Sequence, residues 1–138
     1  MIVVGLGYVG MSNAILLAQK NNVTAIDIDE NRVSLVKQKK SPIKDEVISK
    51  YLQEKNLHLN VVSPKDASYK SADYIIISTP TNYCEENNFF DTSSVVSVID
   101  SILKEGSKAT IIIRSTVPVG FTDKMRKKFN YEKIIFCP

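Results

Sequence analysis

The sequence predicts an α/β fold, a doubly wound parallel six-stranded sheet of order 3-2-1-4-5-6 with helices on both faces. Three observations carry the prediction. Short β-branched runs alternate with amphipathic stretches of helical length along the whole chain. The central runs, Tyr74 to Ile77 and Thr110 to Ile113, are nearly continuous rather than alternating, which marks strands buried on both faces. The first run, Ile2 to Val4, breaks directly into a G-x-G-x-x-G string, Gly5 to Gly10, that opens a helix.

The elements follow in chain order. Ile2–Val4 reads as the first strand, and the amphipathic stretch from Met11 to Lys20 as the first helix. Val23–Asp27 is the second strand and ends on an acid. Helices are expected over Glu30–Lys39, with Asp29 as the better N-cap, and over Asp45–Lys55. Leu57–Val61 and Tyr74–Thr79 are the third and fourth strands. The stretch Thr92–Lys104 carries Val95, Val96, Ile99, Ile102 and Leu103 on one stripe, with Asp91-Thr92 at its start and Gly106 as a C′ residue. Thr110–Arg114 is the fifth strand. A helix over Phe121–Phe129, started by Thr122-Asp123, leads to the sixth strand at Lys133–Phe136. There is no internal repeat and no low-complexity tract, so residues 1–138 are expected to form one domain that buries roughly two thirds of its unfolded surface.

Composition narrows the function. At 43% hydrophobic and 24% charged residues, this is an ordinary globule. No apolar run approaches the ~18 residues of a membrane span, and the start shows no secretory signal. Two cysteines, Cys84 and Cys137, make no disulfide framework and no metal spacing with His58, the only histidine. A cytoplasmic protein without a metal is therefore expected. The net charge of +3 is mild. Basic residues gather at Lys37, Lys39 and Lys40 and at Lys124, Arg126, Lys127 and Lys128, as solvated helix faces do, though they can also attract a phosphorylated ligand. No aromatic-lined strand or recognition helix accompanies them, which argues against a nucleic-acid partner.

The glycine string has a chemical meaning in this context. Gly5 lets the chain leave the strand in a tight turn, Gly7 lets main chain approach a pyrophosphate, and Gly10 lets the helix pack on the sheet. The N–H groups around Tyr8, Val9 and Gly10 then face the phosphates, with the helix dipole behind them. Asp27 lies about twenty residues past the middle glycine, where a carboxylate accepts the hydroxyls of an adenosine ribose and repels a 2′-phosphate. That favours NAD over NADP. Asp27 has a competing reading as a helix cap, which Asp29 fills better. Arg32 can reach the ribose or a phosphate, or stand as an exposed helix arginine. Two further loops leave strand carboxyl ends: Ser78 to Tyr83, offering Thr81 and Asn82, and Arg114 to Gly120, offering Ser115 and Thr116. Each threonine reads equally as a turn or capping hydroxyl.

The chain resembles the amino-terminal NAD-binding domain of the UDP-glucose/GDP-mannose dehydrogenase family. The resembling pieces are Gly5 to Gly10, Ser41 to Glu46, Thr79 to Tyr83, Phe90 to Ser94 and Ser115 to Gly120, spread over nearly the whole chain in the family's order. Within the family, Ser41-Pro-Ile-Lys-Asp-Glu46 and Thr79-Pro-Thr-Asn-Tyr83 look like the short bacterial enzymes acting on UDP-glucose. The resemblance implies oxidation of the C6 alcohol of UDP-glucose to the carboxylate of UDP-glucuronate with two NAD⁺, through a thiohemiacetal on a cysteine. It implies backbone contacts from Tyr8 and Val9 to the pyrophosphate, Asp27 on the ribose, Arg32 near the phosphates and Thr81 against the cofactor. Thr116 matches a threonine beside the nicotinamide that orients a water, the catalytic role expected here. The family's nucleophilic cysteine and catalytic lysine match nothing in this chain. Neither Cys84 nor Cys137 has the nucleophile's glycine-rich surroundings, and Cys137 reads as a small apolar residue at a strand end. A cofactor-binding fragment is thus expected, lacking the central helix and the UDP-sugar domain, able to bind NAD but not to turn over. The intact protein is expected to be a homodimer.

Two other readings stand beside this one. The first is the cofactor domain of another NAD-linked dehydrogenase: the UDP-N-acetylmannosamine, GDP-mannose, 6-phosphogluconate or 3-hydroxyacyl-CoA type. The second is a non-catalytic NAD-binding module.

Overall fold

The computed structural model describes residues 1–84 and 89–138, and for Tyr83, Cys84 and Phe89 the backbone alone. In chain order the elements are β1 (Ile2–Val4), α1 (Tyr8–Ala18), β2 (Val23–Ile26), α2 (Glu30–Lys37), α3 (Glu46–Glu54), β3 (Leu59–Val62), β4 (Tyr74–Ile77), β5 (Asn82–Cys84), β6 (Phe89–Asp91), α4 (Ser93–Lys104), β7 (Thr110–Ile113), α5 (Phe121–Phe129) and β8 (Ile134–Phe136). Six strands pair in parallel in the order β3-β2-β1-β4-β7-β8. Counted along the chain, these six have the predicted order 3-2-1-4-5-6. The direction of winding reverses between β1 and β4, and ligands of such sheets bind outside the strand carboxyl ends at that point.

The two faces of the sheet bury separate cores. Along β4, Ile75 and Ile77 enter a core with Val95, Ile99 and Ile102 of α4 and Phe121 and Met125 of α5. Ile76 enters the opposite core, with Met11 and Ile15 of α1, Val33 of α2 and Leu52 of α3. Full burial of one such isoleucine is worth about 1.5–3 kcal/mol. These strands therefore need no polar alternation, and the apolar runs of β4 and β7 follow from that.

Several boundaries differ from the sequence expectation, each for a local reason. Helix α1 begins at Tyr8 rather than Met11, because Gly7 serves as its N-cap. Tyr8 and Val9 are 60% and 46% exposed, so they break the amphipathic stripe that the prediction relied on. Strand β3 begins at Leu59, the partner of Val23, since a strand can start only where its neighbour offers a ladder. Helix α2 stops at Lys37, followed by Lys39 in the left-handed region at φ 59°. Helix α5 starts from Gly120, left-handed at φ 80°, and not from a Thr122 or Asp123 cap. Asp123 instead lies in the first turn and pairs with Arg126 at 3.1 Å. At α4, the Asp91 carboxylate rather than the Thr92 hydroxyl accepts the Ser93 N–H, at 2.9 Å. Gly106 closes α4 at φ 76°, as expected of a C′ glycine.

One element was unanticipated. Strands β5 and β6 form an antiparallel ribbon, with Asn82 opposite Asp91, beyond the carboxyl end of β4. Each strand has three residues, too few for a periodic signal, and Pro80 just ahead marks a loop.

Candidate cofactor-binding site

The glycine turn divides its three glycines between two jobs. Gly5 takes φ 97°, donates its N–H to Ile26 O at 2.8 Å, and leaves a Cβ nowhere to go, since that atom would lie 2.6 Å from Ser78 O. A Cβ on Gly10 would lie 1.7 Å from Gly5 O. Both positions are demanded by the turn itself. Gly7 is different. Its φ of −75° suits any residue, and a Cβ there would meet nothing within 4 Å. The fold does not need a glycine at 7, but a ligand resting against bare main chain does. The space borders the first turn of α1, where Met11 N–H already bonds Gly7 O while the N–H groups of Tyr8, Val9 and Gly10 have no helical acceptor.

Asp27 follows β2 directly and is 6% exposed. Its Oδ2 accepts the Leu6 N–H at 2.6 Å, and its Oδ1 accepts the Asp29 N–H at 2.8 Å. Both oxygens keep a second lone pair for a ligand hydroxyl. Asp29 is the N-cap of α2, accepting from Asn31 N at 2.9 Å and Arg32 N at 3.3 Å. Arg32 returns from that helix so that Nη1 stands 3.6 Å from Asp27 Oδ2 and Nε 3.6 Å from Asp29 Oδ2. The arginine, though 41% exposed, therefore sits between two carboxylates at the end of β2.

The loops after β4 and β7 are stitched together. Ser115 is buried and its hydroxyl donates to Thr79 O at 2.6 Å. Ser94 of α4 donates to Pro80 O at 2.8 Å. With its only proton so used, Ser94 Oγ must accept from Thr79 Oγ1, at 3.0 Å. Thr81 is partly buried beyond β4, and Thr116 is exposed beyond β7. Both leave the same edge of the sheet as the glycine turn. Cys137 is exposed just past β8, unlike the small apolar strand-end residue expected, and Arg114 Nη1 donates to its carbonyl at 2.9 Å. Among the described residues no group of three or more His, Cys, Asp or Glu is placed to hold a metal, and no helix is long and apolar enough to cross a membrane.

The structure thus brings Gly5, Gly7, Tyr8, Val9, Gly10, Asp27 and Arg32 to one end of the crevice, with Thr81 and Thr116 on loops from the neighbouring strands. Sequence reasoning missed three contributors: the Leu6 N–H that ties the turn to Asp27, the Ser94 clamp, and Ser78. The Ser78 hydroxyl is buried beneath the glycine turn with no hydrogen-bond partner among the described residues, its Cβ 3.5 Å from where a Gly10 Cβ would stand. No motif flags a serine in that place. A pyrophosphate fits the open side of Gly7, and a ribose fits the free lone pairs of Asp27.

Fold and crevice together define a dinucleotide-binding domain of the Rossmann type. Residues 1–134 match the family model described as "UDP-glucose/GDP-mannose dehydrogenase family, NAD binding domain", and the chain belongs to that family as its NAD-binding domain. It is 47% identical over 136 residues to a UDP-glucose 6-dehydrogenase of Streptococcus pneumoniae, covering 99% of this chain and 34% of that protein. It is 43% identical over 139 residues to a UDP-glucose 6-dehydrogenase of Campylobacter jejuni, covering 99% and 35%. Among solved structures, the UDP-D-ManNAc dehydrogenase of Pyrococcus horikoshii superposes with a TM-score of 0.81 at 26% identity, over 98% of this chain and 34% of that one. The chain spans about a third of the length of these relatives.

Proposed function

We propose that the intact protein is an NAD-dependent UDP-glucose 6-dehydrogenase and that residues 1–138 are its cofactor-binding part. The cofactor contacts rest on one observation: the side of Gly7 that the fold leaves open adjoins the free N–H groups of α1, with Asp27 fixed at the ribose end. Gly5 and Gly10 shape the turn, Gly7 gives access, and the Tyr8 and Val9 N–H groups hold the pyrophosphate. Asp27 takes the adenosine ribose, Arg32 lies beside it, and Thr81 borders the cofactor from the β4 loop. Thr116, at the far side of the crevice, accepts or donates a hydrogen bond to position a water; a threonine hydroxyl is too weak an acid to serve as the base.

Bound NAD⁺ supplies a hydride acceptor. Oxidation of a C6 alcohol to a carboxylate consumes two NAD⁺ and one water and yields two NADH and three protons. No residue of this chain is assigned as nucleophile, since neither Cys84 nor Cys137 has glycine-rich surroundings. A homodimer and a cytoplasmic setting belong to the same proposal. The choice of UDP-glucose is supported by the 47% and 43% identity to enzymes of that name, against 34% for a UDP-N-acetyl-D-mannosamine dehydrogenase of Methanocaldococcus jannaschii. Assaying the intact protein for NADH formation on UDP-glucose, UDP-N-acetylmannosamine and GDP-mannose tests it. Two NADH per UDP-glucose and far slower reaction with the others is the expected result; preference for another sugar nucleotide, or no NADH at all, overturns the proposal.

A further inference from the structure

We propose that Asp29 is a specificity-determining residue: by holding the Arg32 guanidinium beside Asp27, it withholds from a 2′-phosphorylated dinucleotide the cation that such a ligand needs. The inference rests on the reading of Asp27 as the ribose ligand and extends it to a residue that the motif does not include.

The geometry separates the two oxygens of Asp29. Oδ1 caps α2 through Asn31 N and Arg32 N, at 2.9 Å and 3.3 Å. Oδ2 takes no part in that cap and faces Arg32 Nε at 3.6 Å. Capping alone does not call for a carboxylate here, because asparagine and serine cap about as well as aspartate. The second oxygen and the charge are what aspartate adds. On the other side of the guanidinium, Nη1 stands 3.6 Å from Asp27 Oδ2. These distances are those of ion pairs, longer than a direct hydrogen bond. With Arg32 and Asp29 41% and 44% exposed, each pair taken singly contributes little to stability.

Their effect on a ligand is larger. Two carboxylates and one guanidinium leave this end of the crevice with a net charge of −1. A phosphate monoester brings about −1.5 to −2 near neutral pH. To turn the Nη1 and Nε donors to it, Arg32 must give up its approach to the carboxylates, and each of them then faces the phosphate uncompensated. NAD⁺ presents two ribose hydroxyls there instead, which Asp27 accepts while Arg32 stays in place. Asp29 thereby adds to the discrimination that Asp27 begins. Neutralising Asp29 removes one restraint on Arg32 and one charge opposed to the phosphate, while a capping side chain remains.

Calorimetric titration of the intact protein with NAD⁺ and NADP⁺ tests this. The ratio of the two dissociation constants should move toward NADP⁺ by about tenfold in both Asp29→Asn and Asp29→Ser, the scale of a removed like-charge contact. In an Arg32→Ala background, Asp29→Asn should shift the ratio by clearly less, because only the like-charge part of its effect remains there. Circular dichroism confirms that each variant keeps its fold, and two capping replacements guard against a defect peculiar to one. An unchanged ratio in both folded variants overturns the proposal, as does a shift that is undiminished by loss of Arg32. Asp27→Ala, titrated in parallel, separates this failure from a deeper one. If it weakens NAD⁺ binding while Asp29→Asn changes nothing, only the role of Asp29 falls; if NAD⁺ binding is untouched, the ribose assignment falls with it.

Discussion

Leu6 and Asp27, 21 residues apart in the chain, are joined by a 2.6 Å hydrogen bond from the Leu6 N–H to a buried carboxylate. The acid at the end of β2 is therefore part of the glycine turn as well as the ribose ligand we propose. Asp27→Ala should accordingly do two things. It strips the Leu6 and Asp29 N–H groups of their acceptor, which lowers the thermal midpoint. It also costs NAD⁺ binding about 1.5–3 kcal/mol, the value of a charge-assisted hydrogen-bond pair, and relaxes discrimination against NADP⁺. Calorimetry with both dinucleotides reads the second effect; unchanged NAD⁺ affinity excludes Asp27 from the ribose site.

Gly10→Ala should destabilise the protein by about 3 kcal/mol or more. The new methyl would sit 1.7 Å from Gly5 O, a backbone atom that cannot step aside without parting α1 from the turn. Urea unfolding measures it, and a loss below about 1 kcal/mol would mean that the helix start is softer than described.

Ser115 and Thr116 are adjacent but should separate cleanly. Ser115→Ala removes the donor to Thr79 O and leaves that partly buried carbonyl short of a partner, at a cost of about 1–2 kcal/mol. Thr116→Ala, at an exposed position, should change stability by less than about 0.5 kcal/mol, yet slow turnover of the intact protein. Thermal midpoints and NADH formation, measured on both variants, decide it. An unaltered rate in Thr116→Ala reduces that residue to a turn position.

Asp91 gives the pH dependence a sign. Hydrogen bonds from the Ser93 hydroxyl and the Ser93 N–H hold its carboxyl below the usual value of 3.8. A carboxyl lowered in the folded state favours folding above its unfolded-state pKa, and that contribution disappears as pH falls through the folded value. Asp91→Asn should flatten the fall of the thermal midpoint with acid across that window. A variant that tracks the parent at every pH places the acid sensitivity elsewhere.

The parts of this fold that were readable in the sequence are those with a local cause. Runs such as Tyr74 to Ile77 declare doubly buried strands, and Gly5 and Gly10 are the only residue type the turn admits. Asp29 caps the helix it immediately precedes. The unreadable parts depend on distant chain. Nothing near Ser115 announces that its hydroxyl will meet Thr79 O, and nothing near Arg32 announces that it will turn back between Asp27 and Asp29. The β5–β6 ribbon escaped for another reason: three-residue strands are shorter than any period by which they could be recognised. Helix α5 has the bounds expected of it, but not the expected Thr122-Asp123 start chemistry, because a left-handed Gly120 can open a helix with no capping side chain at all.

The most direct measurement is a titration of the intact protein and its Gly7→Ala variant with NAD⁺, paired with thermal midpoints. The methyl has open space in the fold, and its two effects on stability are opposed: a stiffer unfolded chain, and a poorer N-cap than glycine. The midpoint should therefore move by no more than the equivalent of about 1 kcal/mol, while NAD⁺ binding and its stabilising shift disappear. A Gly7→Ala protein that takes up NAD⁺ as the parent does would contradict the placement of the pyrophosphate, and with it the reading of the whole crevice.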